Sequence, residues 1–172
     1  MSKYIKSRDF FKYNKTSNKI KSHPIIICWK LNTPNNLGNI LRIADNMACE
    51  KVIFVDDNPN FNERNIKKTA QISFDAMDWL FCSPKDFEKH LPRDYHRIAI
   101  ETSEYSSDVY TSVLPEKSAL FVGNEKIGLD QHILDTCKTC IYIPMKGHNK
   151  SMNVSHALTL VLGEWLSQNY YR

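Results

Sequence analysis

The hydrophobic positions along the chain follow two different periods. Short apolar runs cover residues 25–31, 51–55, 97–101, 119–122 and 140–143. Several of these runs are continuous, which is typical of strands that are covered on both faces. Helix-patterned segments lie between them, and a further weak strand is predicted near residues 76–81. The pattern therefore predicts an α/β domain with a mostly parallel sheet flanked by helices.

Capping residues delimit two of the predicted helices. Thr33 and Pro34 are a typical N-cap and first residue of a helix, and Asn153 is a second N-cap candidate. The first helix has an apolar stripe at Leu37, Ile40, Leu41, Ala44, Met47 and Ala48. The second has its stripe at Val154, Ala157, Leu158, Val161, Leu162 and Trp165. In such a domain we expect the ligand site beyond the carboxyl ends of the strands.

Size and composition narrow the class of protein. A chain of 172 residues fits one ordinary domain. No run approaches the roughly 18 apolar residues of a membrane span, and the start of the chain lacks the apolar stretch of a secretion signal. The five cysteines are odd in number and mostly lie in apolar runs, which favours reduced, buried thiols. We therefore expect a cytoplasmic protein without a membrane segment.

The net charge of +4 is concentrated at the start of the chain. Residues 1–22 hold seven basic and one acidic side chain, a balance of 7 − 1 = +6, whereas residues 23–172 carry 16 basic and 18 acidic ones. Four aromatic residues are interleaved with the basic ones. The sequence thus predicts a basic arm over 1–22 and a folded domain over 23–172. Such an arm could bind RNA phosphates and bases, or be a solvated tail that packs on the domain.

Three segments join predicted strands to helices and carry candidate chemistry. They are NTPNNLGNILR at 32–42, FVGNEKIGL at 121–129 and IYIPMKGHNKSMNVS at 141–155. Arg42 lies off the apolar stripe of its helix and faces away from the core, although a surface arginine paired with Asp45 or Glu50 would fit the same pattern. Cys137 and Cys140 have C-x-x-C spacing, but with no second pair we expect no metal site.

In this order the three segments resemble the motifs of the SpoU family, also called TrmH-type, within the knotted SPOUT methyltransferases. The first is similar to the family's N-x-G/S-x-x-x-R motif, the second to its G-x-E-x-x-G loop, and the third to its I-P-M-x-G…S-L-N-V-S signature. The resemblance covers about residues 24–168. It implies a C-terminal deep trefoil knot, and a homodimer in which the arginine of one subunit lies close to the cofactor of the other.

The resemblance also implies the site residues. It makes Arg42 the central catalytic residue. The residues implied to complete the catalytic site are Asn36, Glu125, Ser151 and Asn153. Those implied to hold the cofactor S-adenosylmethionine are Thr102, Gly123, Ile143, Met145 and Met152. The chain departs from the family at Met152, where leucine is usual, and at His156, where a smaller residue is common; a leucine-to-methionine exchange conserves volume.

The implied activity is transfer of a methyl group from S-adenosylmethionine to a ribose 2'-hydroxyl of RNA. The lack of a separate N-terminal RNA-binding domain favours tRNA over rRNA as the substrate. A guanidinium is a poor base, so we expect Arg42 to bind the phosphate or the developing alkoxide, and Glu125 to fix hydrogen bonds rather than abstract the proton. Two alternatives remain open: a knotted-fold RNA-binding or assembly factor that has lost catalysis, and an RNA base methyltransferase.

Overall fold

A single seven-stranded sheet forms the centre of the computed structural model, which describes residues 4–13, 20–59 and 61–171. The strands are β1 (Ile25–Trp29), β2 (Lys51–Val55), β3 (Trp79–Cys82), β4 (His96–Ile100), β5 (Ser107–Asp108), β6 (Ser118–Val122) and β7 (Thr139–Tyr142). Their spatial order is β3-β2-β1-β6-β4-β7-β5. Every neighbouring pair is parallel, which confirms the predicted sheet.

Six α-helices precede, connect or follow the strands in the part of the chain that the structure describes. They are α1 (Ser7–Tyr13), α2 (Pro34–Asn46), α3 (Glu63–Ala70), α4 (Ser73–Ala76), α5 (Gln131–Leu134) and α6 (Val154–Leu166). A 3₁₀ turn lies at Phe87–His90, and a π-helical turn at Ser167–Tyr171 extends α6. Among these described helices, none combines the length and the hydropathy that crossing a bilayer requires.

The continuous apolar runs form strands because both faces of the sheet are covered. All five residues of β1 are buried, and they alternate between two core clusters. Ile26 and Cys28 pack in the cluster that contains the apolar stripes of α2 and α6. Ile25, Ile27 and Trp29 pack in the other cluster, with residues of α5 and the 3₁₀ turn. Both faces of the sheet are therefore covered by other elements of the chain.

The start of α2 is as predicted, but its cap and its end differ. Pro34 is the first helical residue, yet the Thr33 side chain forms no capping hydrogen bond. Its hydroxyl is instead among the groups that lower the pKa of Glu125. The helix ends at Asn46, because Ala48 adopts the left-handed conformation with φ 52°. Met47 and Ala48 therefore lie beyond the helix rather than on its stripe.

The predicted N-terminal arm contains one described helix and one buried residue. Tyr4, Phe10 and Phe11, on or next to α1, have exposed side chains. Ile20 is buried in the core cluster that includes α2 and α6, so the arm touches the domain before its predicted end. Lys3, Lys15 and Lys19, which contribute to the predicted charge of the arm, lie outside the described residues.

Candidate functional site

A cleft lies at the carboxyl ends of β4, β6 and β7. Its volume is about 640 Å³, within the range of small-molecule sites. Its walls are the loop at 100–102, the loop at 122–128, and residues between 141 and 157 that include the first turn of α6. Because parallel strands end at the same edge of a sheet, three segments far apart in the chain meet there. The cleft is thus where an α/β domain of this kind places a ligand.

The five residues predicted to hold a cofactor all line this cleft. Thr102 follows β4, and Gly123 follows β6. Ile143, Met145 and Met152 lie on the loop between β7 and α6. The sequence motifs therefore identified residues of all three walls.

Four of the five predicted catalytic residues are brought together. Glu125, Ser151 and Asn153 line the cleft, and Asn36 is buried directly behind two of them. The Asn36 Nδ2 donates to Oε1 of Glu125 at 2.7 Å, and its Oδ1 accepts from Nδ2 of Asn153 at 3.0 Å. Asn153 also caps α6, because its Oδ1 accepts from the amide of Ser155 at 2.9 Å. Asn36 thus joins α2 to two walls of the cleft.

Hydrogen bonds keep Glu125 charged. Its Oε2 accepts from the backbone amide of Asn32 at 3.1 Å, in addition to the bond from Asn36. Partial burial alone would raise the pKa of Glu125, but the hydrogen bonds from Asn32 and Asn36, with smaller contributions from its own backbone and from Thr33, together outweigh that effect, and the pKa is lowered. At neutral pH the side chain is therefore a carboxylate, which cannot donate a proton and has little tendency to accept one.

Ser151 and Arg42 are exposed, and only Ser151 lines the cleft. The Ser151 hydroxyl donates to Oδ1 of Asn149 at 3.0 Å. The Arg42 guanidinium makes no hydrogen bond or ion pair with any residue that the structure describes. The pairing with Asp45 or Glu50 does not form, because Asp45 accepts from the Ser73 hydroxyl at 2.6 Å and Glu50 accepts from the Tyr95 hydroxyl.

The loop after β6 is shaped by residues that the sequence motifs did not identify. The Asn124 Nδ2 donates to the carbonyl of Lys30 at 2.6 Å, and its Oδ1 accepts from the amide of Lys126 at 2.9 Å. Lys30 has φ 52°, a left-handed conformation uncommon for a residue with a side chain. Its Nζ lies 2.8 Å from Oδ2 of Asp130, which also accepts from the Trp29 indole at 2.8 Å. The end of β1 is thereby fixed to both ends of the loop.

Glu101 fastens the end of β4 to the same loop. Its carboxylate accepts from the amides of Thr102 at 2.9 Å and Leu129 at 3.1 Å. A side chain at Gly123 would collide with the backbone of Gly128, so the loop folds back closely on itself. An acidic residue at the end of a predicted strand was the signal that could have identified Glu101.

The cysteines show no arrangement for binding a metal. Burial raises the pKa of the Cys137 thiol to about 12 and disfavours the thiolate that binds zinc. All five cysteines are free thiols. Within residues 4–13, 20–59 and 61–171, no three His, Cys, Asp or Glu side chains are grouped so that they could hold a metal ion.

Comparison with known proteins shows which proteins the chain resembles. A model of the SpoU rRNA Methylase family matches residues 23–163. The 23S rRNA (guanosine-2'-O-)-methyltransferase RlmB of Haemophilus ducreyi is 30% identical over 155 residues, which are 88% of this chain and 63% of that protein. The tRNA (guanosine(18)-2'-O)-methyltransferase TARBP1 of Mus musculus is 27% identical over 154 residues, 86% of this chain and 10% of that protein. The chain thus spans only part of the length of both relatives.

Solved structures share the fold. The AdoMet-bound rRNA methyltransferase from Sinorhizobium meliloti superposes with a TM-score of 0.76 at 22% identity, over 84% of this chain and 56% of that one. A protein studied for the 2-OH methylation of C/U34 on tRNA gives a TM-score of 0.77 at 22% identity, over 87% of this chain and 99% of that one. These likenesses confirm the predicted fold class. The threading of the predicted knot stays a prediction.

Proposed function

Because the chain belongs to the SpoU rRNA Methylase family, we propose that it transfers a methyl group from S-adenosylmethionine to a ribose 2'-hydroxyl of RNA. The observation that carries this proposal is the hydrogen-bonded set in which Asn36 joins Glu125 to Asn153 at the edge of the cleft. A pure RNA-binding protein has no need of a buried amide that orients two polar walls of a cleft. The names of both curated relatives describe 2'-O-methyltransferases.

The residues around the cleft fit S-adenosylmethionine. The apolar side chains of Ile100, Ile143 and Met145 offer a surface for the adenine ring. The carboxylates of Glu101 and Glu125 provide negative charge for a cationic ligand, and backbone groups near Thr102 and Gly123 can hydrogen-bond to it. When bound, the cofactor supplies a methyl group on a positively charged sulfur.

The chain's own side chains would orient the ribose and stabilise its oxygen. Glu125 remains a carboxylate and holds Asn36, so the amides of Asn36 and Asn153 keep fixed directions. Ser151 has an exposed hydroxyl that can hydrogen-bond to the ribose. Orientation of this kind would contribute to the rate, together with easier release of the 2'-hydroxyl proton to solvent as the oxygen attacks.

Arg42 would act on the RNA from a second subunit. Its exposed guanidinium has no partner among the described residues and does not line the cleft of its own chain. In the proposed homodimer it would reach the cleft of the other subunit and bind the phosphate or the developing alkoxide. The preference for tRNA and the cytoplasmic location remain parts of this proposal; five free thiols agree with a reducing compartment.

The Arg42→Ala variant tests the proposed activity. We expect it to fold and to bind S-adenosylmethionine, while methyl transfer to RNA falls about 10²–10³-fold, as when one charge-stabilising group is removed. Arg93→Ala is the matched control: Arg93 is also exposed, but it precedes β4 at the opposite edge of the sheet. Near-normal turnover by Arg42→Ala would refute the role of this arginine.

Two further measurements separate the alternative functions. Calorimetry of the wild-type protein with S-adenosylmethionine distinguishes a methyltransferase from a factor that has lost catalysis, because the latter has no need to bind the cofactor. Nucleoside analysis of the methylated RNA distinguishes a ribose product from a base product. A methylated base nitrogen would replace the proposed reaction by the base-methyltransferase alternative.

A further inference from the structure

The chain segment after α5 has an uneven charge distribution. Residues 136–163 contain three lysines and two histidines but no aspartate or glutamate. This segment includes β7, the loop that lines the cleft, and most of α6. Within the loop, Lys146, His148 and Lys150 lie close together in sequence, and all three are exposed. One side of the cleft is therefore bordered by positive charge with no acidic side chain from the same segment.

A further lysine lies on the loop across the cleft. Lys126 follows β6, is exposed, and lines the cleft together with Lys150. Its backbone amide donates to Asn124 Oδ1 at 2.9 Å, so the backbone that carries the Lys126 side chain is held in place. We call Lys126 and Lys150, together with Lys146, which follows the lining residue Met145, the cationic rim.

The lysines of the cationic rim are not neutralised. Within the described residues, Lys126 and Lys146 make no ion pair and no side-chain hydrogen bond, and Lys150 donates only to the carbonyl of Met145, at 3.0 Å. By contrast, basic side chains elsewhere in the described part of the chain lie within ion-pairing distance of a carboxylate, as at Lys30, Lys51, Lys67, Lys89, Arg97 and Lys117. An anionic ligand that binds the cationic rim therefore does not have to displace a carboxylate of the protein from these lysines.

The acidic groups of the cleft already accept hydrogen bonds from neighbouring groups of the protein. Glu125 accepts from Asn32 and Asn36, and Glu101 accepts from two backbone amides. Their hydrogen bonds hold both carboxylates against the loops that form the walls. The cleft thus combines hydrogen-bonded carboxylates, which suit a cationic cofactor, with exposed lysines whose charge is not paired.

We propose that the cationic rim binds the two RNA phosphates that flank the methylated ribose. This inference rests on the proposed function. A ribose inside a polynucleotide carries a phosphodiester on either side, so it can enter the cleft only if both phosphates come to the mouth. Lys126 on one loop, and Lys146 and Lys150 on the other, supply positive charge on both sides of that mouth. The rim lysines are positioning residues, because they act on the phosphates rather than on the reacting atoms.

The salt dependence of RNA binding distinguishes the loss of a phosphate contact from a disturbance of the fold. Each lysine that neutralises a phosphate releases a counterion, and the slope of log K against log salt changes by about 0.7–0.9 per contact. A substitution that only disturbs the fold weakens binding without a matching change in slope. Because this contribution does not depend on base sequence, bulk tRNA is a valid probe whichever RNA is the natural substrate.

The experiment compares Lys126→Gln, Lys146→Gln and the double variant with the wild type. Affinity for bulk tRNA is measured across a range of KCl concentrations. We expect each single variant to reduce the slope by about 0.7–0.9 and the double variant by about twice that amount. Lys138→Gln is the matched control: Lys138 is exposed and belongs to the same acid-free segment, but it precedes β7 at the opposite edge of the sheet. The control should keep the wild-type slope.

Cofactor binding and kinetics complete the test. Lys126→Gln and Lys146→Gln should bind S-adenosylmethionine with wild-type affinity, and they should raise the KM for RNA more than they lower kcat. Lys150→Arg, which keeps the charge, should preserve the slope that Lys150→Gln reduces. Wild-type slopes in Lys126→Gln and Lys146→Gln would refute the proposal that the cationic rim binds RNA phosphates, even if the enzyme methylates RNA. Reduced slopes without any methyl transfer would support phosphate binding by the cationic rim and refute the proposed methyltransferase activity instead.

Discussion

Replacing Glu125 with glutamine tests whether this carboxylate is held by the hydrogen bonds that the structure shows. Its two oxygens accept from Asn36 at 2.7 Å and from Asn32 at 3.1 Å. A glutamine has one oxygen and one NH₂ group, so in either orientation it places a donor against a donor. One charge-assisted bond is lost and the other becomes neutral. The variant therefore reports directly on the connection between α2 and the loop after β6.

The expected loss follows from the strength of such bonds. A hydrogen bond to a charged group contributes about 1.5–3 kcal/mol, and we expect about 1–2 kcal/mol for Glu125→Gln because solvent reaches this exposed residue. For a chain of this size, each kcal/mol lowers Tm by about 2–4 °C. We also expect a moderate rather than total loss of methyl transfer, because the carboxylate positions Asn36 and does not take the proton.

The pH dependence of the free energy of unfolding is a second measure of the hydrogen bonds to Glu125. The pKa of Glu125 is lower in the folded protein than in the unfolded chain, so the unfolded chain binds the proton more readily. This group therefore stabilises the fold fully above its ordinary pKa, and the stabilisation disappears as the pH falls through the lowered pKa. The free energy of unfolding of Glu125→Gln should lack this acid-side decline.

Denaturation in urea between pH 3 and pH 7 measures both effects, at values chosen to span the ordinary glutamate pKa of about 4.3. Glu104→Gln is the matched control, because Glu104 is exposed and makes no hydrogen bond with another described residue. If Glu125→Gln matches the wild type at pH 7 and keeps the same pH profile, the hydrogen bonds to Asn32 and Asn36 do not hold the carboxylate as described.

Three further substitutions or deletions test other parts of the site. Gly123→Ala should lower stability by about 1–3 kcal/mol and weaken cofactor binding, because the added carbon meets the facing backbone, whereas Gly147→Ala, with open space around it, should change unfolding little. Asp130→Ala should cost about 1–3 kcal/mol in urea unfolding, since it leaves the Trp29 indole without its acceptor; an unchanged midpoint would contradict this. Deleting residues 1–19, which hold six basic and one acidic side chain, should weaken tRNA binding and flatten its salt dependence; unchanged binding would favour the solvated tail.

Much of the sheet could be predicted because its strands are continuous apolar runs. β1 and β2 are each buried along nearly their whole length, so their hydrophobic pattern is strong. β5 has only the polar residues Ser107 and Asp108, and it is a strand because its backbone pairs with β7. The short helix α4 likewise has no apolar stripe long enough to identify. Elements that depend on a neighbour's position leave no periodic signal in the sequence.

The site was predictable where the motif residues act locally. The capping role of Asn153 follows from its position before an apolar stripe, and the structure shows that cap. The burial of Asn36 between Glu125 and Asn153 is a tertiary feature, because the three residues come from distant parts of the chain. Lys30 was missed for the same reason: its left-handed backbone and its carbonyl contact with the loop after β6 exist only in the folded domain.

The position of β7 between β4 and β5 has a consequence for the order in which the protein can become functional during synthesis. A ribosome produces both neighbours of this strand before the strand itself, so the gap between them is filled only after residues 139–142 have been made. The ligand cleft needs the residues that follow β7, up to position 157. A nascent chain that is still short of that point lacks part of the cleft wall, so a complete binding site exists only after the first turn of α6 has been made.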